Sequence, residues 1–424
     1  MYKKIFLAID NSRFSNYCID LGIDISRKFN ARLVGCHVYD ANLHQRRFRD
    51  MEKGLPPQYQ DEEVLQRQRE LHTSLINMGL RLISESYLDV FKKKCEGAGV
   101  PYEELLLEGK NYYEIVKEVQ KGSYDLVILG AYGLAAVNDY MIGSVCERVV
   151  RRIKTDVLVV KNNRFDGKAV IAVDGSNSSF SGVNAAVTFS KEFGLGVDAV
   201  SVFDPHYHRV AFDSIAKVLT KEAGQVFRFK EQETLHEEII DKGLAKIYQN
   251  HLNKACDIAR DHGVSMNVVL KDGKPYDQIL KYIDRENPSL VIVGRTGVHN
   301  TKDLDIGSTT ENLLRFAPCN MLLMSDTIEA KSKNDLLLSE SCGMPVKKFV
   351  SQKMHVESNK RIHNLVKWTD EAQQHTERIP SFIRSVVRKK IEEYALENGY
   401  QEITADIVNE AKACLMNDST FHKM

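Results

Sequence analysis

Hydrophobic positions along the chain follow two rhythms that alternate. Short apolar, β-rich runs, KIFLAID ending at Asp10 and ARLVGCHVYD ending at Asp40, flank a segment with helical spacing. A long helical stretch follows from about Glu62 to Cys95. Then come the run ELLLEG, a short helix, the run DLVILG, the amphipathic segment VCERVVRRI and a last apolar run. The same order starts again with AVIAVD and VDAVSVFD, a helical stretch from about Ile215 to His262, NVVLKDG, SLVIVG and TTENLLRFA. Short β-branched runs alternating with helical segments predict a parallel sheet covered on both faces, joined by right-handed crossovers.

The two halves are in register at one offset. Gly130 and Gly294 differ by 164, and so do Gly133 and Gly297, Gly143 and Gly307, Ser144 and Ser308, Asp10 and Asp174, and Ser12 and Ser176. Gly109-Lys110 falls on Gly273-Lys274, and LHTSLINMGL from Leu71 falls on LHEEIIDKGL from Leu235. At the far end Thr155 and Asp156 fall on Cys319 and Asn320. A constant offset over this length implies two tandem copies of one domain.

The repeated glycines carry the candidate chemistry. DLVILG and SLVIVG each end at the first glycine, and each Gly-Ser precedes an amphipathic helix. The motif is therefore a loop from a strand's carboxyl end to a helix's amino end, the edge on which open α/β sheets bind ligands. Helix amino termini present unpaired N–H groups to anions, and glycine lets the backbone approach a phosphate closely. Plain turn chemistry is the competing reading: Ser144 with Glu147, and Ser308 with Glu311, fit a capping box. Asp10 and Asp174 end the first strand of each copy on that same edge. There a carboxylate can accept from a ribose or hold Mg²⁺, or it can cap the next helix.

Asp after the first strand, with Gly-x2-Gly-x9-Gly-Ser before the last helix, resembles the universal stress protein family, as does the segment GSVCERVVRRIKTDVLVVK. The resemblance covers roughly residues 1–162 and 166–326. It implies an adenine-nucleotide α/β domain with a five-stranded parallel sheet in each copy, and pairing of the copies through their last strands as an internal pseudo-dimer. It implies that ATP or AMP is held by Asp10, Val38, Gly130, Gly133, Gly143, Ser144 and Val145. In the second copy the matching positions are Asp174, Val202, Gly294, Gly297, Gly307, Ser308 and Thr309. Val38 and Val202 would meet the adenine. Arg295, His299 and Lys302 stand in or beside the second motif where the first has Ala131, Tyr132 and Leu134. Added cations favour phosphate, so the second copy is expected to bind more tightly, with Arg295 at the nucleotide.

The expected architecture is α/β: two tandem open parallel five-stranded sheets with helices on both faces, plus a small C-terminal α-helical domain. Boundaries are expected at 1–162, 163–326, a charged linker 327–364, and 365–424. The last segment resembles the C-terminal domain of the light-independent protochlorophyllide reductase B subunit through WTDEA, IPSFIR, RKKIEEYA and ITADIVNEAK. No other part of the chain resembles that reductase, so its chemistry does not transfer. Ile383, Val386, Val387, Ile391, Tyr394 and Ala395 give an amphipathic helix, Gly399 ends it, and Thr404 caps the next. Arg384, Arg388, Lys389 and Lys390 form a basic face, either solvated or for docking to an acidic protein or a nucleic acid.

Other features narrow the picture. In the segment after strand two, His72 and His236 coincide under the repeat and read as packing residues or a paired metal or pH-sensitive site. Gly79 and Gly243 suggest close helix contact. The chain's 58 basic and 58 acidic residues among 424 give no global attraction to nucleic acid or membrane. No apolar run reaches the roughly 18 residues of a membrane span, and the first segment reads as a strand. Eight scattered cysteines without a Cys-x-x-Cys pair suit a reducing, cytoplasmic setting.

No phosphate loop of the Gly-x4-Gly-Lys-Ser/Thr type and no nucleophile–base pair is evident. The expected function is an adenine-nucleotide-binding regulatory or adaptor protein. It would signal nucleotide state to a protein partner through the insertion helices and the C-terminal domain. The alternatives are a slow ATPase or phosphotransferase, with Asp10 or Asp174 on metal and Arg295 on the transferring phosphoryl group, and a structural assembly subunit or homo-oligomer.

Overall fold

The computed structural model describes residues 1–134, 142–204, 214–219, 228–235, 241–298, 305–325, 367–377 and 402–417. It also describes residues 388, 391–392, 394–395, 398 and 400. The expected linker, His236, His299, Lys302, Arg384, Lys389, Lys390 and Gly399 lie outside the described residues. Two compact units form, Met1–Asp204 with Leu244–Lys331, and Pro205–Gly243 with Ser332–Met424.

The first unit holds both copies. Copy one has strands β1 Lys4–Ala8, β2 Arg32–Tyr39, β3 Tyr102–Glu108, β4 Leu126–Gly130 and β5 Asp156–Val160. Its helices are α1 Arg13–Phe29, α2 Ala41–Met51, α3 Glu62–Ala98, α4 Asn111–Lys121 and α5 Ser144–Arg152. Copy two follows with β6 Lys168–Ala172, α6 Asn177–Phe193 and β7 Gly196–Phe203. After α7 Phe229–Leu235, which belongs to the second unit, come α8 Asp241–Asp261, β8 Met266–Asp272, α9 Pro275–Glu286, β9 Leu290–Gly294, α10 Ser308–Phe316 and β10 Asn320–Met324. Of the helical stretch expected from Ile215 to His262, residues 214–218, α7 and α8 are helical among the described residues, and residues 219 and 228 are not.

The strand order is β3-β2-β1-β4-β5-β10-β9-β6-β7-β8. Within each copy all pairings are parallel, and β5 meets β10 antiparallel, with Leu158 opposite Leu322. The two five-stranded sheets thus fuse through their last strands into one sheet of ten, the internal pseudo-dimer that the resemblance implied. Alternation along the strands feeds two cores. Ile5 and Leu7 face the layer holding Cys18, Leu88, Phe91, Leu252 and Ala255; Phe6 faces the layer holding Ile115, Val149, Ile279 and Leu313. Each core runs across both copies.

Corresponding polar residues fasten the seam. Asp156, which opens β5, accepts from the Ser325 N–H (2.9 Å) and Oγ (2.8 Å) beyond the end of β10. Asn320, its counterpart, accepts from the Lys161 and Asn162 N–H groups (2.8 and 3.1 Å) beyond the end of β5. Glu147 and Glu311, the expected partners in capping boxes, face each other's arginines. Arg315 donates to Glu147 (3.1 Å) and Arg151 to Glu311 (2.6 Å). The Arg315 bond holds the Glu147 carboxyl below its usual range.

The glycines of the insertion helices correct the sequence reading, and His72 takes the packing role it offered. A Cβ on Gly79 or Gly243 would meet nothing within 4 Å, so neither marks close helix contact. His72 stacks on Phe48, ring centroids 4.4 Å apart, in the packing of α2 on α3. Leu71, Leu75, Met78 and Leu82 of α3 are exposed.

In the second unit, β11 Lys367–Trp368 pairs parallel with β12 Glu402–Ile403, a ladder added to the helical expectation. Helices α11 Asp370–Glu377 and α12 Ala405–Asn417 accompany it, with Ala372, Ile391, Ala395, Ile403 and Val408 buried together. The Thr404 Oγ1 accepts from the Ile407 N–H (3.4 Å) at the start of α12. Arg388, of the expected basic face, lies over the Trp368 ring, 4.7 Å from its centroid.

Candidate functional site

β1 and β6 are where strand order reverses, each lying between the second and fourth strands of its copy. The crevice at their carboxyl ends is the ligand-binding position of such sheets. In copy two it holds a cavity of about 260 Å³. Its apolar walls come from β7 (Val200, Val202), β9 (Val293) and α9 (Pro275, Ile279). Its polar side comes from Asp174, Gly297, Ser308, Thr309 and Thr310. Of the copy-two residues expected at a ligand, Asp174, Val202, Gly294, Gly297, Gly307, Ser308 and Thr309 all line it.

The loop builds itself from the glycines. Gly307 N–H donates to the Arg295 carbonyl (2.8 Å), and Gly143 N–H to the Ala131 carbonyl (2.7 Å), so each spacer closes at its base. Asp174 accepts from Ser176 N–H (2.9 Å) and Oγ (2.6 Å) with one oxygen, and from Val298 N–H (3.1 Å) with the other. Asp10 does the same to Ser12 N–H (3.0 Å) and Leu134 N–H (3.3 Å). A Cβ on Gly297 or Gly133 would lie 2.7 or 2.9 Å from that aspartate oxygen, so a side chain at either place breaks the tie. The helix caps are Ser12 and Ser176, which accept from Ser15 and Ser179 N–H (3.1 and 3.2 Å), and not the aspartates.

The capping-box reading fails at the last helices. The N-caps of α5 and α10 are Gly143 and Gly307, and no side chain caps either one. Ser144 and Ser308 are the first helical residues, and the glutamates turn to the seam. In copy two this uncapped terminus lines the cavity, which leaves backbone donors and the positive end of the helix dipole for an anion.

Arg295 is a correction. It is 7% exposed, and its guanidinium donates to the carbonyls of Val150 and Thr155 (the latter 3.2 Å) at the carboxyl end of α5 in copy one. It is not among the residues lining the cavity. A helix end with unpaired carbonyls, supplied by the neighbouring copy, holds the guanidinium more closely than an open crevice would. Lys161 does the converse, donating to Leu314 and Ala317 carbonyls (2.7 and 2.5 Å) at the end of α10. Burial pushes its ammonium down to about 8.

Copy one carries larger side chains at two places beside the same crevice. Tyr132 and Phe14 stand at the places of Thr296 and Ser178. Their rings are buried with centroids 4.8 Å apart, packed in the core with Cys36, Val38, Ile115 and Leu129. The last four correspond to the cavity walls Val200, Val202, Ile279 and Val293. Val145 is half-buried beside them.

A family profile described as the universal stress protein family matches residues 1–161 and again 167–325. The chain belongs to the universal stress protein family. A universal stress protein of Methanocaldococcus jannaschii is 30% identical over 161 residues, 38% of this chain and 83% of that protein. A Staphylococcus saprophyticus relative is 25% identical over 183 residues, 42% of this chain and 96% of its own length. The crystal structure of a universal stress protein from Archaeoglobus fulgidus matches 76% of this chain and 98% of its own. At a TM-score of 0.50 and 16% identity, it supports the fold. Residues 368–412 match a profile described as the protochlorophyllide reductase 57 kD subunit. No helix among the described residues of this universal stress protein is long and apolar enough to cross a membrane.

The sequence did not single out Tyr248, which lines the cavity from α8, nor Pro275 and Ile279 of α9. For Tyr248 the available signal was the repeat itself, since copy one has Ser84 at that place. His251, one turn on, lies 5.6 Å from the Tyr248 ring and presses on Gly175, whose φ of +89° and missing Cβ make room for it. Burial lowers the His251 pKa against the opposing pull of Asp174, and burial with Asp174 raises that of Tyr248.

Proposed function

We propose that copy two of this universal stress protein binds an adenine nucleotide, ATP or AMP, in the cavity between Val202 and the Gly297–Ser308 loop. The observation that carries the reading is the joining of an apolar slot to an uncapped helix terminus at the switch point of the sheet. The slot suits a base, the N–H groups of Ser308 and Thr309 suit phosphate, and Asp174 reaches the ribose between them. Mg²⁺ enters only with a phosphate chain, since among the described residues no three His, Cys, Asp or Glu side chains gather as a metal set.

The protein acts as a nucleotide-responsive regulator or adaptor. Its insertion helices and C-terminal domain pass the nucleotide state to a protein partner, for which α3 offers the exposed Leu71, Leu75, Met78 and Leu82. The ATPase reading is weaker, because Arg295 is committed to the seam and, among the described residues, no cation lines the cavity.

Calorimetric titration with ATP and AMP tests the site. Gly297→Ala is expected to weaken binding about tenfold or more, through loss of the Asp174–Val298 tie, while Gly133→Ala leaves it unchanged. Equal losses in the two variants, or no binding to the wild type, would overturn the assignment.

A further inference from the structure

We propose that Tyr248, which lies outside the glycine motif, is the residue that lets this site tell a nucleotide from bare phosphate. Its ring would stack on the base. The inference rests on the nucleotide reading of copy two and adds a contact supplied by the insertion helix.

The placement of Tyr248 follows from the spacing of α8. Leu252, Ala255 and Ala259 are buried at intervals of three and four, and fix one face of the helix on the sheet. Tyr248 stands four residues before Leu252, on the same face and one turn nearer the amino end. That extra turn carries it past the packed core to the carboxyl ends of the strands. There it lines the cavity, with its ring 6.1 Å from that of Phe203, the residue after Val202. It therefore reaches the slot from the α8 side of the sheet edge, while the valine and isoleucine walls belong to the opposite layer. His251, seated on Gly175, lies beside the ring.

The other copy makes the contrast. Ser84, Leu88, Phe91 and Cys95 repeat the same spacing on α3, and Ser84 is fully buried with its Oγ donating to the Leu80 carbonyl (2.6 Å). A serine so used offers no face to a base. Aromatic stacking is worth roughly 1–3 kcal/mol per base, which is about 5- to 150-fold in affinity. It is felt only by ligands that carry a base.

The test compares AMP with inorganic tripolyphosphate on the full chain, using wild type, Tyr248→Ser and Tyr248→Phe. Tyr248→Ser is expected to weaken AMP at least fivefold and to leave tripolyphosphate within about twofold. Tyr248→Phe, which keeps the ring, is expected to stay near wild type for both. Unchanged AMP binding in Tyr248→Ser overturns the proposal. So does an equal loss of tripolyphosphate, which would mean that the ring only props the loop. A Tyr248→Phe defect as large as that of Tyr248→Ser overturns it as well, since the ring would then not be the element at work. If wild type binds tripolyphosphate but not AMP, the nucleotide reading itself has failed, and this proposal with it.

Discussion

At the scale of single residues, the glycines were legible and the charges were not. Gly133 and Gly297 were recognisable because any side chain there collides with Asp10 or Asp174, and a constraint that hard recurs in both copies. Arg295 was misread because sequence gives its neighbours along the chain but not the helix end of the other copy, 140 or more residues away, that takes its guanidinium. Lys161 is the matching case, and its burial makes a pH prediction. Its folded pKa, about 8, lies below its ordinary 10.5, so the unfolded chain holds the extra proton between those values. Stability from this group therefore rises with pH from about 8 upward, by at most about 1.4 kcal/mol per pH unit. Tyrosines such as Tyr124 act oppositely, because their raised pKa keeps protons on the folded state above pH 10. Five buried cysteines, Cys18, Cys36, Cys95, Cys146 and Cys319, act oppositely as well, because burial raises their pKa and keeps protons on the folded state where unfolded thiols ionise. The prediction is therefore a difference: in urea unfolding between pH 8 and 9.5, wild type should gain stability relative to Lys161→Met as pH rises, and parallel pH profiles for the two proteins would refute it.

Elements were read well where period and punctuation agreed. Helix α1 begins at Ser12 and ends on Asn30 in the left-handed region, and α6 begins at Ser176 and ends on Gly194 likewise; both helices were expected, but with Asp10 and Asp174 as the candidate caps. Helix α3 was found almost to its ends because Asp61 and Gly99 bound a continuous period. The size match of packed elements was harder to see. Phe91 of α3 presses on Gly35 of β2, whereas copy two puts Ala255 against the strand bearing Ala199, a paired exchange invisible until the helix is docked. The seam shows the same limit. The carboxyl ends of α5 and α10 each receive a cation from the other copy, but from non-corresponding positions, Arg295 and Lys161. Because Arg295 sits between Gly294 and Gly297, it anchors the cavity loop of copy two on a helix of copy one. Arg295→Met should cost about 2–3 kcal/mol, by leaving the Val150 and Thr155 carbonyls without their charged donor. It should also weaken AMP binding severalfold, as the loop loses its anchor. Unchanged unfolding midpoints together with unchanged titrations would show that the anchor carries no weight.

For the whole molecule, a near-symmetric frame carries an asymmetric pair of sites, and this decides how many ligands one chain takes. The frame is symmetric where the copies must fit each other: β5 against β10, Glu147 and Arg151 against Glu311 and Arg315. Such pairing constrains both partners alike; Glu147 and Arg151 recur as Glu311 and Arg315, while β5 and β10 share little beyond their apolar pattern. The crevices face no partner, and nothing forces them to match. In one crevice Phe14 and Tyr132 join the core; in the other Thr296 lines a cavity, and Ser178 is buried with its Oγ donating to the Thr296 carbonyl (2.8 Å). Buried rings of that size exclude a base from the same volume, and removing them costs roughly 3–5 kcal/mol apiece. Wild type is therefore expected to bind one nucleotide per chain. Phe14→Ser with Tyr132→Thr should open the first crevice and bring the count toward two, at a cost in stability. Should that variant fail to fold, Thr296→Tyr settles the matter from the other side. A ring placed in the open cavity should remove the single site and leave the thermal midpoint nearly unmoved. Two sites in wild type, or full binding in Thr296→Tyr, would mean that the rings do not decide occupancy and that the copies are equivalent after all.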